Sequence, residues 1–124
     1  MNEDDKRQLK SDADGLLTYE YIANHIDDPE IDIEGLADNM IRVDATGQFV
    51  VSAARYLHAI DPQRFASPIE RLIAAAIEKD REHRYIGDLL QSIWGDDYAQ
   101  RVDELNASDN NFRRIYKRLF PKGI

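Results

Sequence analysis

The chain has no cysteine. No disulfide framework holds it, and no thiolate is on hand for a structural zinc, an iron–sulfur cluster or a thiol nucleophile. Long apolar runs are missing as well. The longest, Leu72 to Ile77, is six residues, far short of the roughly 20 that a bilayer-spanning helix needs. The opening Met1-Asn2-Glu3-Asp4-Asp5 is polar and acidic, the reverse of the basic-then-apolar layout of a signal peptide. The six glycines are scattered and form no Walker or dinucleotide fingerprint. No serine stands in a Gly-x-Ser-x-Gly elbow; Ser67 and Ser108 read as helix caps and Ser52 falls inside a helix. Strand-like alternation and hairpin dipeptides are lacking too. Together these absences predict a soluble, cytoplasmic, all-α protein with no transmembrane segment. Nucleophilic and phosphate-loop chemistry is left without its usual parts.

What is present is one domain's worth of helix. The 124 residues, 43% apolar and 32% charged, suffice for a single hydrophobic core. The net charge of −8 is unevenly spread: −9 over residues 1–50, −4 over 51–111 and +5 over 112–124. Residues 1–14 show no periodicity and read as a flexible acidic N-terminus, with a single helical domain over 15–124. Beyond Gly15 the apolar residues recur at helical spacing. Tyr19, Ile22, Ala23 and Ile26 form one stripe that stops at Asp27-Asp28-Pro29. Asp32 is placed to cap a second stripe, Ile33, Leu36, Ala37 and Met40. Asp44-Ala45-Thr46-Gly47 is a break, with Thr46 placed to cap the helix 48–60, whose wide row of Phe49, Val50, Ala53, Ala54, Tyr56, Leu57 and Ile60 predicts a central position.

Ser67-Pro68-Ile69-Glu70 reads as a capping box opening a helix over 68–82. Its core row is Ile69, Leu72, Ile73, Ala76 and Ile77. Ile86, Leu89, Leu90 and Ile93 begin a rotated stripe that Gly95 ends. A short helix follows with Tyr98, Val102 and Leu105. Ser108 or Asp109 then caps a last one, in which Phe112, Ile115, Tyr116, Leu119 and Phe120 hold the stripe to Pro121. The expected fold is an irregular orthogonal or antiparallel bundle of about six helices, with 48–60 and 68–82 as the central pair. No stretch carries a family signature.

Four features invite a functional reading, each beside a plainer one. His25-Ile26-Asp27-Asp28-Pro29 and His58-Ala59-Ile60-Asp61-Pro62 share His-x-x-Asp-Pro. Two imidazoles and the carboxylates of Asp28 and Asp61 are a donor set suited to zinc, iron or manganese. The plainer account is a helix end, since histidine in a last turn suits the dipole and Asp-Pro stops a helix; the residues before each histidine do not align as a repeat. Glu78, Glu82 and His83 place two carboxylates at i, i+4, but the Glu-x-x-His of a di-iron bundle is missing, and Lys79, Arg81 and Arg84 interleave them as on a solvated face. The acidic front half suits a basic partner, or simply solubility.

The fourth feature is the basic last helix. Arg113, Arg114, Tyr116, Lys117 and Arg118 form the candidate binding surface, while the same helix also reads as docked on the core with its bases turned to the acidic front half. The leading expectation is therefore a non-enzymatic interaction protein whose partner is another protein, with no cofactor. The alternatives are a nucleic-acid-associated or regulatory protein using the basic helix, whose phosphate contacts weaken steeply with salt, and a metal-dependent enzyme using His25, His58 or His83.

Overall fold

The computed structural model describes residues 1–122; the expected domain 15–124 runs two residues past them. The described chain is all-helical, as the periodicity predicts, with eight α-helices rather than about six: α1 Glu3–Lys10, α2 Leu16–His25, α3 Ile33–Val43, α4 Gln48–Ile60, α5 Ala66–Lys79, α6 Gly87–Trp94, α7 Val102–Ser108 and α8 Asn110–Leu119. A single 3-10 turn, Tyr98–Gln100, lies between α6 and α7.

The extra helix at the front is α1. Residues 1–14 carry no long apolar stripe, yet Asn2 caps Asp5 N–H at 2.8 Å and acids fill the first turn, where the helix dipole favours them. Leu9 is buried. The Asn39 amide donates to Leu9 O at 2.8 Å and Arg42 to Lys10 O at 3.0 Å, so the end of α1 is tied to α3. One leucine and two long-range side-chain bonds hold this segment, and none of them leaves a periodic trace.

The remaining helices form two layers. α2, α4 and α6 are neighbours in one; α3, α5 and α8 are neighbours in the other. The hairpins α2–α3 and α4–α5 are units of this stack, α6 with α8 completes it, and α7 lies against α8. The α4–α5 contact is the most extensive, so the central pair is where the sequence places it. Val50, Ala53, Ala54, Leu57, Leu72 and Ala76 are fully buried between the layers.

A carboxylate ties the stack together at each entry into the first layer. Asp12, Asp44 and Asp80 are buried, at 6%, 1% and 2% exposure. In all three, Oδ2 accepts the backbone N–H six residues on: Thr18 at 2.9 Å, Val50 at 3.0 Å and Ile86 at 2.9 Å. Oδ1 of Asp12 and of Asp44 accepts the N–H of residues two and three further on, Asp14 and Gly15 in one case, Thr46 and Gly47 in the other. Around Asp80 the partners are Arg84 and Tyr85. The third residue after each aspartate takes a left-handed backbone: Gly15 at φ 109°, Gly47 at 93° and His83 at 56°.

Each bracket leans on the next. A Cβ on Gly15 would lie 3.1 Å from Phe49 Cβ and 3.5 Å from Asp44 Cβ, and one on Gly47 would lie 3.1 Å from Asp80 Cβ. Glycine is thus needed twice over, for its φ and for the close approach. His83, in the last bracket, is exposed, and histidine is among the side chains that tolerate this conformation. The brackets begin at residues 12, 44 and 80, so the chain is an imperfect helical repeat with a period in the solenoid range. The His-x-x-Asp-Pro echo belongs to that same register, at the end of α2 and of α4. The repeat hides from sequence reading because only one carboxylate and one backbone conformation recur.

Three local expectations need correction. Ser67 does not cap α5. Asp61 Oδ1 takes the N–H of Gln63 and Arg64, and buried Phe65 precedes a helix that starts at Ala66, so Ser67 falls within its first turn. The helix expected over 68–82 stops at Lys79, because Asp80 turns the chain into its bracket. Thr46 offers Gln48 N–H only a 3.3 Å contact, while the Asp44 carboxylate takes the amides that start α4.

Candidate binding surface

The basic helix α8 has the sequence pattern of a docked element and a free one at once, and the structure divides its residues between the two. Asp109 caps it, accepting Phe112 N–H at 3.0 Å through Oδ1 and Trp94 Nε1–H at 2.7 Å through Oδ2, so one carboxylate fixes both the helix start and the indole of α6. Phe112 and Ile115 are fully buried. Phe112 sits edge-on to Trp94 with centroids 5.2 Å apart and stacks on Tyr116 at 5.6 Å. Arg114 forms an ion pair with Glu78 of α5, and Arg118 Nη1 donates to Arg114 O at 3.2 Å. The helix therefore docks, but on α5, in the middle of the chain, rather than on the acidic front half.

The five expected surface residues consequently do not share one face. Arg114 and Arg118 are half-buried at the α5 side. Arg113, Tyr116 and Lys117 face α7 instead, lining an open groove of about 300 Å³ with Val102, Asp103, Asn106, Phe120 and Pro121. Tyr116 and Phe120 lie against each other there, centroids 4.7 Å apart. Arg113 reaches across to Asn106 O at 2.9 Å and back to Asn110 Oδ1 at 2.6 Å. Asn106 Oδ1 is buried with no hydrogen-bond partner among the described residues, an arrangement that costs about 1–3 kcal/mol while it stays unmade. Sequence reasoning found the bases and Tyr116. It did not find Val102, Asn106 or Phe120 as their companions, because a groove between two helices joined at Asp109 has no periodicity of its own.

The histidines and acids settle elsewhere. His25 stacks on Tyr21 at 3.9 Å with Nδ1 2.9 Å from Tyr21 O. Asp28 and Asp61 serve the turns after their helices, accepting from Glu30 N–H and from the Gln63 and Arg64 amides. Glu78 and Glu82 do not share a helix face: α5 ends between them, Glu78 meets Arg114 and Glu82 pairs with Arg84 at 2.7 Å. No group of three or more His, Asp or Glu side chains placed to hold a metal occurs among the described residues.

A second open surface crosses the first layer. Tyr19 of α2 meets Tyr56 of α4 edge-on at 6.2 Å, and Arg55 Nε of α4 donates to Ser92 Oγ of α6 at 2.9 Å. Ser92 had drawn no attention in the sequence, since a lone polar residue in a short amphipathic helix carries no signal. On the far side Arg71 of α5 bridges Glu34 and Asp38 of α3. Aromatic and polar side-chain contacts thus link successive helices within each layer.

Fold and surface define an all-α, two-layer helical stack with an aromatic and basic groove at one end. No helix among the described residues is long and apolar enough to cross a membrane. Comparison of the chain with protein-family models, with curated proteins and with solved structures finds no match.

Proposed function

We propose that this protein is a non-enzymatic interaction module of the cytoplasm, which binds another protein through the groove between α7 and α8. The observation that carries the reading is the fate of the bases in α8. Arg114 is spent on Glu78, whereas among the described residues Arg113 has only neutral oxygens as partners and Lys117 is exposed on the groove. Charge kept beside a half-buried Tyr116 and Phe120 is the mixture that protein interfaces favour, an aromatic anchor rimmed by cations. Stacked helical units serve such binding well, since they offer a firm surface with little ordering cost.

A photo-crosslinking residue placed at position 117 tests this in an extract of the protein's own cells. It should trap one discrete protein that the same residue placed at position 70, on the outside of α5, does not trap. Equal trapping from both positions, or from neither, overturns the reading.

A further inference from the structure

Two features meet in the α7–α8 groove, a pair of exposed bases and an apolar lining. Arg113 and Lys117 stand one turn apart on α8, both exposed. The Arg113 guanidinium is held by Asn106 O and Asn110 Oδ1, which orient it without neutralising it. Lys117 enters no ion pair among the described residues. Beside them Val102, Tyr116, Phe120 and Pro121 give the groove apolar lining, against one acid, Asp103.

An occupant that answers both brings carboxylates for the cations and an apolar side chain for the aromatic lining. An acidic stretch of polypeptide carries each of these within a few residues. A nucleic acid answers the cations and the aromatics, but it is a continuous polyanion and must lie along a molecule whose net charge is −8. Repulsion over that length opposes it. A short acidic segment presents its charge only where Arg113 and Lys117 wait.

We propose that the α7–α8 groove takes an acidic, apolar-anchored peptide segment of a partner protein, with the segment's carboxylates on Arg113 and Lys117 and its apolar side chain on Tyr116 and Phe120. The proposal rests on the reading of the protein as an interaction module and specifies the chemistry of its partner.

The test follows backbone amide signals of the full ¹⁵N-labelled chain by NMR, a method that registers millimolar binding. Four probes are added separately: a short peptide alternating Glu with Leu and Phe, the same peptide with Ser for Glu, the same with Lys for Glu, and a short single-stranded DNA. The acidic peptide should shift the signals of Asn106, Arg113, Tyr116 and Lys117, including the Asn106 side-chain amide, and the serine peptide should shift them at markedly higher concentration. Lys117→Glu should weaken the acidic peptide by about tenfold, with its melting temperature unchanged because the residue is exposed; Lys117→Gln, weakening it less, serves as the check on folding.

Groove signals unmoved by millimolar acidic peptide overturn the proposal. So does a serine or lysine peptide that fills the groove better, although the interaction reading then stands and only the partner's charge is wrong. DNA shifting the same signals at lower concentration overturns it in favour of phosphate recognition. Failure of the crosslinking at position 117 is a separate result and speaks against the interaction module itself.

Discussion

Asp44 is buried at 1% exposure, and the backbone amides of Thr46, Gly47, Phe49 and Val50 and the Thr46 hydroxyl all donate to its carboxyl oxygens. An amide in its place turns a donor toward those donors. Asp44→Asn should therefore lower stability by about 1–3 kcal/mol in urea unfolding, on the scale of buried donors left without an acceptor. Asp12 adds a pH dependence. Burial opposes its ionisation, but the Thr18 hydroxyl and the amides of Thr18, Gly15 and Asp14 outweigh that and hold the carboxyl below its usual range. A folded-state pKa below the unfolded one stabilises above the unfolded value, about 3.9 for aspartate, and that stability disappears as pH falls through the folded value. Asp12→Asn should thus be less stable than wild type at neutral pH, and the gap should narrow on acidification below about pH 4. His83 makes the converse case. It holds a left-handed backbone that glycine adopts freely, so His83→Gly should leave stability unchanged or raise it by up to about 1 kcal/mol. A fall of more than that would show the imidazole to have a partner. None of this was legible in the sequence: Asp44 reads as a break and His83 as a possible ligand, because a carboxylate that gathers amides up to six residues ahead looks like any loop aspartate.

Helices are the scale at which the sequence speaks most clearly. The rows from Ile33 to Met40, from Val50 to Leu57 and from Ile69 to Ile77 are buried as their spacing predicts. Leu72 is fully buried between the layers, so Leu72→Ala should cost about 2–5 kcal/mol in a denaturant melt, and Ile73→Asp should prevent folding. Boundaries were less legible than rows, since Ser67-Pro68 is a sound capping pattern that loses to the burial of Phe65 two residues earlier. For α8 the periodicity located the core face but could not say which bases pair. Arg114→Gln should lower stability by less than about 1 kcal/mol, with the loss shrinking in high salt, as befits a half-exposed ion pair with Glu78. Lys117→Gln should leave the melting temperature where it was, because its side chain borders the groove and not α5.

For the molecule as a whole, the repeated brackets and nearest-neighbour packing imply a graded stability. In a stack each unit depends on the units beside it, so the middle is protected from both sides and the ends from one. Amide hydrogen exchange should be slowest in α4 and α5 and fastest in α1 and α7; uniform protection from end to end would show the molecule to unfold as a single block. The all-helical class and the central pair were open to sequence reading, while the two-layer order was not, since it depends on which non-consecutive helices meet. The three brackets also act as a spine. Gly15 against Asp44 and Gly47 against Asp80 bring the loops to van der Waals contact along one edge, as the sewn edge of a book holds its leaves. Any rotation of one helix pair against the next then turns about that edge, so the stack fans rather than slides.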